Sequence, residues 1–198
     1  MKFIFALLFL SLISPSEMIT NMTDSIYIPD KKIAVQGVDG GNDPVRLEFD
    51  KEKKVLIKTE KGEKSEIKFA DMPLFLKLFF FTADKTNPES ISVSVKSIAG
   101  ALHAAGINTE VATVSASEYD GSAVLAIGKE KRFVVANILE LSKESMRPIA
   151  LKIGDETYIF SDYHRSQLPL VFPGNIKFFK NGALQGEWIF LRDEYKQK

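Results

Sequence analysis

The chain has no cysteine, so no disulfide staples it and no N-terminal cysteine can carry a lipid, which leaves core packing to hold the fold. It has no charge of one sign in excess: 26 Lys and Arg stand against 26 Asp and Glu. Without a bulk field, nucleic acid is not an expected partner. It also lacks a long hydrophobic run. The apolar stretch from Phe3 to Ile13, about eleven residues, is well short of the roughly twenty that cross a bilayer as a helix, so no stable membrane span is expected. There are no repeats and no Pro-rich or Ser-rich segment, while hydrophobic residues at 45% and aromatics at 11% exclude a disordered chain.

What the first residues do carry is an address. Met1-Lys2 gives a basic start, Phe3 to Ile13 an apolar run, and Ser14-Pro15-Ser16 the small residues that precede cleavage. Residues 1–16 therefore read as a secretory signal, with the mature chain beginning near Glu17 and residues 17–198 forming a single exported, periplasmic domain.

Beyond the signal, Val45, Leu47 and Phe49 alternate with Arg46 and Glu48, and Val55, Ile57 and Thr59 repeat the spacing, which predicts half-buried strands. Gly62 supplies a turn to a return strand over Ser65 to Phe69, and the mixed charges of Asp50 to Lys54 and Glu60 to Lys64 read as solvated hairpin ends. The period then becomes helical. One helix is predicted from an Asp71 cap and Pro73 through Leu74 to Phe81. A second runs from Asn87-Pro88 to Gly106, with Ile91, Val95, Ile98 and Leu102 on one narrow face and Ile107 placed for the C-terminal apolar contact. After Asn108 strands return over 124–127, 133–141, 149–153, 157–160, 176–179 and 188–191, with Asp120-Gly121, Gly154-Asp155 and Asn181-Gly182 as turn residues. Short loops force antiparallel neighbours. The expected fold is α+β, with two helices packed on an antiparallel sheet.

Candidate chemistry is sparse, and no enzyme is expected. His103 lacks ligand-spaced partners and reads as a packed or surface residue, not a metal ligand. Asp162, His164 and Ser166 hold the elements of a triad, but on a strand they would project in a row with no nucleophile on a strained turn. Gly37-Val38-Asp39-Gly40-Gly41 precedes a strand pattern and lacks the Lys-Ser/Thr of a phosphate loop, so it reads as a turn. Asp39, Asn42 and Asp43 do not match a calcium loop. No metal and no cofactor is expected.

The segment that stands out is Leu74 to Phe81, where four of the 15 phenylalanines crowd one short helix. At about 100° per residue Phe75, Phe79, Phe80 and Phe81 point in different directions. Such a helix must be covered all round. It is either sandwiched in the core or faces a space that holds an apolar ligand, in which case Phe75, Leu78, Phe79, Phe80 and Phe81 are the candidate lipid-binding residues.

The phrases Ala104 to Thr109, Gly121 to Gly128, Phe160 to Tyr163, Phe172 to Ile176 and Asn181 to Leu184, in this order of elements, resemble uncharacterised exported relatives within the LolA/LppX-like superfamily of periplasmic lipoprotein carriers. The resemblance covers Ile26 to Tyr195. It implies a strongly curved antiparallel sheet, an incomplete barrel with the helices on its concave face, enclosing an apolar cavity for lipid or lipoprotein acyl chains. The alternative is a non-catalytic envelope module with a fully packed core, whose sheet edge or face meets a protein partner. Cavity volume separates the two.

Overall fold

In the computed structural model, which describes residues 14–25, 32–80, 88–128, 137–163 and 172–190, all strands belong to one antiparallel sheet. They are β1 (Lys32–Asp39), β2 (Pro44–Asp50), β3 (Val55–Glu60), β4 (Glu63–Lys68), β5 (Ala112–Ala116), β6 (Ala123–Ile127), β7 (Ile138–Ser142), β8 (Pro148–Ile153), β9 (Glu156–Ser161), β10 (Asn175–Lys180) and β11 (Ala183–Phe190). Their order is β4-β3-β2-β1-β11-β10-β9-β8-β7-β6-β5. Every neighbouring pair is consecutive in sequence except β1 and β11. That seam pairs Gly37 with Phe190, Val38 with Ile189 and Asp39 with Trp188. Gly37 is required there, because a Cβ would lie 2.1 Å from the Ile189 carbonyl oxygen.

Turn chemistry accounts for much of the meander. Lys61 and Gly62 between β3 and β4, and Asn181 and Gly182 between β10 and β11, all have positive φ, which two-residue hairpin turns of the favoured hand demand. Period-two alternation sets the faces: Val45, Leu47 and Phe49 of β2 are buried, while Arg46 and Glu48 point outward and join through an Arg46 Nε to Glu48 Oε1 bond of 2.7 Å. The sheet is not closed. Its edges are β4, whose Glu63, Lys64, Glu66 and Lys68 are exposed, and the short polar β5. Charge along an edge discourages pairing with another chain.

Among the described residues the helices are α1 (Pro15–Ser25), α2 (Leu74–Lys77) and α3 (Pro88–Ala104). α2 and α3 lie in the connection that carries the chain from edge β4 to edge β5. α3 ends as its sequence dictates: Gly106 at φ 77 donates to the His103 carbonyl at 2.9 Å, and Ile107 N–H donates to Leu102 O at 3.0 Å. Leu102 and Ile107 are both buried, completing the apolar contact of that cap. Ile98 is buried with them and Val95 half-buried; Asn87 and the Ile91 side chain lie outside the described residues. α1 packs on α3 and buries Met18, Ile19 and Met22. Its start is a capping box: Glu17 N–H donates to Ser14 Oγ at 3.2 Å and Ser14 N–H to Glu17 Oε2 at 2.7 Å, with Pro15 in the first turn. Ser14 to Glu17 is the stretch read from sequence as the signal cleavage region.

Two expectations need correction. The fold is not α+β with two helices packed on the concave face of an incomplete barrel; among the described residues it is predominantly β, a single open eleven-stranded sheet with three short helices. β1 and β5 escaped the sequence reading because Gly37 interrupts the first and the second is small and polar. The helix expected over Leu74 to Phe81 is a single turn ending at Lys77, started by Pro73, not Asp71, which closes a 3₁₀ turn, Phe69–Asp71. No helix among the described residues is long and apolar enough to cross a membrane.

Candidate functional site

The aromatic segment begins where Pro73 fixes an extended entry at φ −54, ψ 142. Leu76 and Lys77 N–H both reach the Pro73 carbonyl, at 3.0 and 3.1 Å, and Leu78 donates to Leu74 O at 3.1 Å. Phe79 and Phe80 donate to Leu76 O at 3.0 and 2.9 Å. No side chain caps its N-terminal end, and Lys77 turns back to donate to the Ala70 carbonyl at 2.7 Å, its ammonium 5.8 Å from the Phe69 ring centre.

From this one turn the phenylalanines diverge, each into different partners. Phe75 stacks on Tyr158 of β9 at 4.5 Å and meets Phe178 of β10 and Trp188 of β11 at 5.4 and 6.0 Å. Phe79 sits edge-on to Phe160 at 5.1 Å and Phe172 at 5.2 Å. Phe80 turns to Phe49 of β2 at 5.6 Å and to Phe172 at 5.4 Å. Leu78 and Phe80 have no exposed surface, and Phe79 and Phe75 retain only 1% and 7%. Four of the five candidate residues thus converge on one aromatic interior; Phe81 lies outside the described residues. They border side chains, with rings at normal packing distances. Truncating any of these rings removes contacts on every side, which costs about 3–5 kcal/mol in a packed core.

The remaining sequence candidates do not assemble. His103 is exposed at the end of α3, and Asp162 is exposed at φ 53 after β9. His164 and Ser166 lie outside the described residues. Among the described residues no three metal-ligating side chains gather. Asp39 instead orders the β1–β2 turn, accepting from Gly41 and Asp43 N–H, both at 2.9 Å.

Two features were missed from sequence. On the sheet face opposite Leu139 and Leu141, Glu140 is 6% exposed, flanked across the ladder by the buried Ala126 and Ala150. Its carboxylate accepts from Ser117 Oγ at 3.2 Å, whose oxygen in turn accepts from Tyr119 N–H. Burial first, then the charges of Glu140 and Glu118, push the Tyr119 hydroxyl up from its ordinary value. This arrangement ties the β5–β6 loop to β7. The second missed feature is a cleft of about 510 Å³ at the foot of the β3–β4 hairpin, ringed by Lys53, Lys54, Lys68 and Lys77. Lys53 and Lys54 are neighbours, but Lys68 and Lys77 are distant from them in sequence, and the hairpin and α2 bring the four together.

No family model, curated protein or solved structure matches the chain.

Proposed function

We propose that this chain is an exported, non-catalytic binding protein that carries an apolar chain, a lipid or the acyl chains of a lipoprotein, within the periplasm, with α2 as a displaceable plug in the binding space. The observation that supports this reading is the mode of attachment of Phe75, Phe79 and Phe80. Three rings that engage β2, β9, β10 and β11 are borne by one short segment, Phe75 on the four-residue helix and Phe79 and Phe80 just beyond it. Withdrawing it would free an aromatic-lined volume without breaking a strand ladder. Alkyl surface entering in its place would gain roughly 25 cal/mol per Å² buried. Export rests on the basic and apolar start of the sequence.

The packed state of those same rings favours a second reading, the envelope module with a filled core. Its contact surface would be the β5 edge, which lacks the charges of β4 and leaves Val114 46% exposed. Mass spectrometry of organic extracts decides between them. Protein purified from an envelope fraction is expected to yield lipid at near one mole per mole. An extract without lipid, from protein that still co-purifies with an envelope protein, would favour the module.

A further inference from the structure

The lysine cleft has a construction of its own. Lys68 is paired with Val55 across the β3–β4 ladder, and Phe69 N–H donates to the Lys54 carbonyl at 2.8 Å. The turn before β3 is tied by Lys53 N–H to Asp50 Oδ1 at 3.0 Å. Lys53, Lys54 and Lys68 are therefore presented from a hydrogen-bonded frame, Lys77 enters from α2, and Ser97 of α3 also lines the cleft. No carboxylate lines the cleft, and among the described residues none of its four lysines is in an ion pair.

A second cleft, of about 430 Å³ beside the β1–β11 seam, shows the opposite arrangement. It is lined by Asp39, Glu60 and Glu187, yet each acid is answered: Asp39 by Lys61 at 3.8 Å, Glu60 by Lys58 at 2.5 Å, and Glu187 by Lys177 at 3.8 Å and Asn175 Nδ2 at 2.5 Å. Of these two clefts only the first holds charges with no opposite charge beside them, in a chain whose net charge is zero. Gathering like charges is unfavourable by Coulomb repulsion, and an anion relieves it.

Val55, Phe69, Ala70 and Ala101 give the lysine cleft an apolar part to its lining. The Phe69 ring lies 6.0 Å from Phe49, which is 5.6 Å from Phe80. We infer that this cleft is the head-group site for an anionic amphiphile: Lys53, Lys54, Lys68 and Lys77 receive a phosphate-like group, and the attached chain enters the aromatic interior past Phe69. This inference rests on the carrier reading and names its ligand class. It also couples the two parts of the ligand, since Lys77 shares α2 with Phe75, and an anion that draws Lys77 from the Ala70 carbonyl loosens the plug.

The test is titration calorimetry with dihexanoyl phosphatidylglycerol, dihexanoyl phosphatidylcholine, both below their micelle concentrations, and inorganic phosphate. The wild-type chain is compared with Lys54→Gln/Lys68→Gln and with Lys64→Gln/Lys143→Gln, a control of equal charge outside the cleft. The anionic lipid is expected to bind at least tenfold tighter than the zwitterionic one. The cleft variant should lose that preference while keeping its affinity for the zwitterionic lipid, and the control should stay within twofold of wild type. Phosphate alone should neither bind nor compete at millimolar concentration. Equal binding of both lipids by all three proteins would overturn the head-group site and leave the carrier reading standing. Binding of neither lipid would overturn both. Phosphate bound as tightly as the anionic lipid would reduce the cleft to a plain anion site, and anionic lipid bound only when presented in vesicles would make it a membrane-surface patch, either result overturning the inference.

Discussion

The interior has an aromatic half and an aliphatic half, and they are held in different ways. In the aliphatic half Leu125, Ile127, Leu139, Leu141 and Leu151 are all buried and all borne by strands, so none can leave without its ladder partners on β6, β7 and β8. In the aromatic half, Phe75, Phe79 and Phe80 belong to α2 or the two residues just beyond Leu78, tied by one turn of backbone hydrogen bonds and by ring contacts. Equal burial thus conceals unequal attachment. Local opening needs few protective bonds to break, so the aromatic half is where the fold can make room at less than the cost of global unfolding.

The comparison is tested hardest by truncation. Phe80→Ala and Leu139→Ala are both expected to lower stability severely, by about 3–5 and 2–5 kcal/mol respectively, since each side chain has no exposed surface. What separates them is ligand: bound lipid, read by mass spectrometry beside denaturant midpoints, should fall in Phe80→Ala and Phe79→Ala but track only the folded fraction in Leu139→Ala. Loss of lipid in all variants alike would erase the distinction between the halves. Next in size is Gly37→Ala, where the new Cβ meets backbone at the Ile189 carbonyl and not a yielding side chain. Overpacking of this kind costs about 1–3 kcal/mol. Because β1–β11 joins the N-terminal strands to the rest of the sheet, the midpoint should drop with a broadened transition as β1 to β4 loosen first. The smallest effect is at α1. Ser14→Ala removes the capping oxygen and is expected to cost about 1 kcal/mol. A chain cut after Ser16 loses the same cap, so N-terminal sequencing of exported protein, paired with thermal melts of chains starting at Ser14 and at Glu17, reads both the cleavage point and this cost.

Much of the sheet was legible because its signals are local. Gly154, Asn181 and Gly182 sit in turns at positive φ, and alternation in β2 reports which face is buried. The end of α3 was legible for the same reason, since Gly106 and Ile107 define the cap themselves. The overall class was not, because it depends on how long each helix runs. A segment such as Leu74 to Phe80, apolar but for Lys77, has no polar face to measure, so its pattern does not mark the end of the helix at Lys77. α1 was hidden by its neighbour: its first residues, Pro15 and Ser16, fall in the stretch read as the signal, and its buried Met18, Ile19 and Met22 follow directly. The candidate site divides likewise. The phenylalanine cluster shows in composition, whereas the lysine cleft joins Lys53 and Lys54, Lys68 and Lys77 from three elements, and in sequence the first pair reads only as a solvated hairpin end.

The most direct measurement of whether the aromatic half opens is native-state hydrogen exchange at the amides of Leu76, Lys77, Leu78, Phe79 and Phe80, with and without a single-chain anionic lysolipid. The account predicts exchange through an opening of lower free energy than that of Leu139 to Leu151, and faster exchange at these five amides when lysolipid displaces the turn. Exchange of all five only through global unfolding, unchanged by the lysolipid, would contradict it.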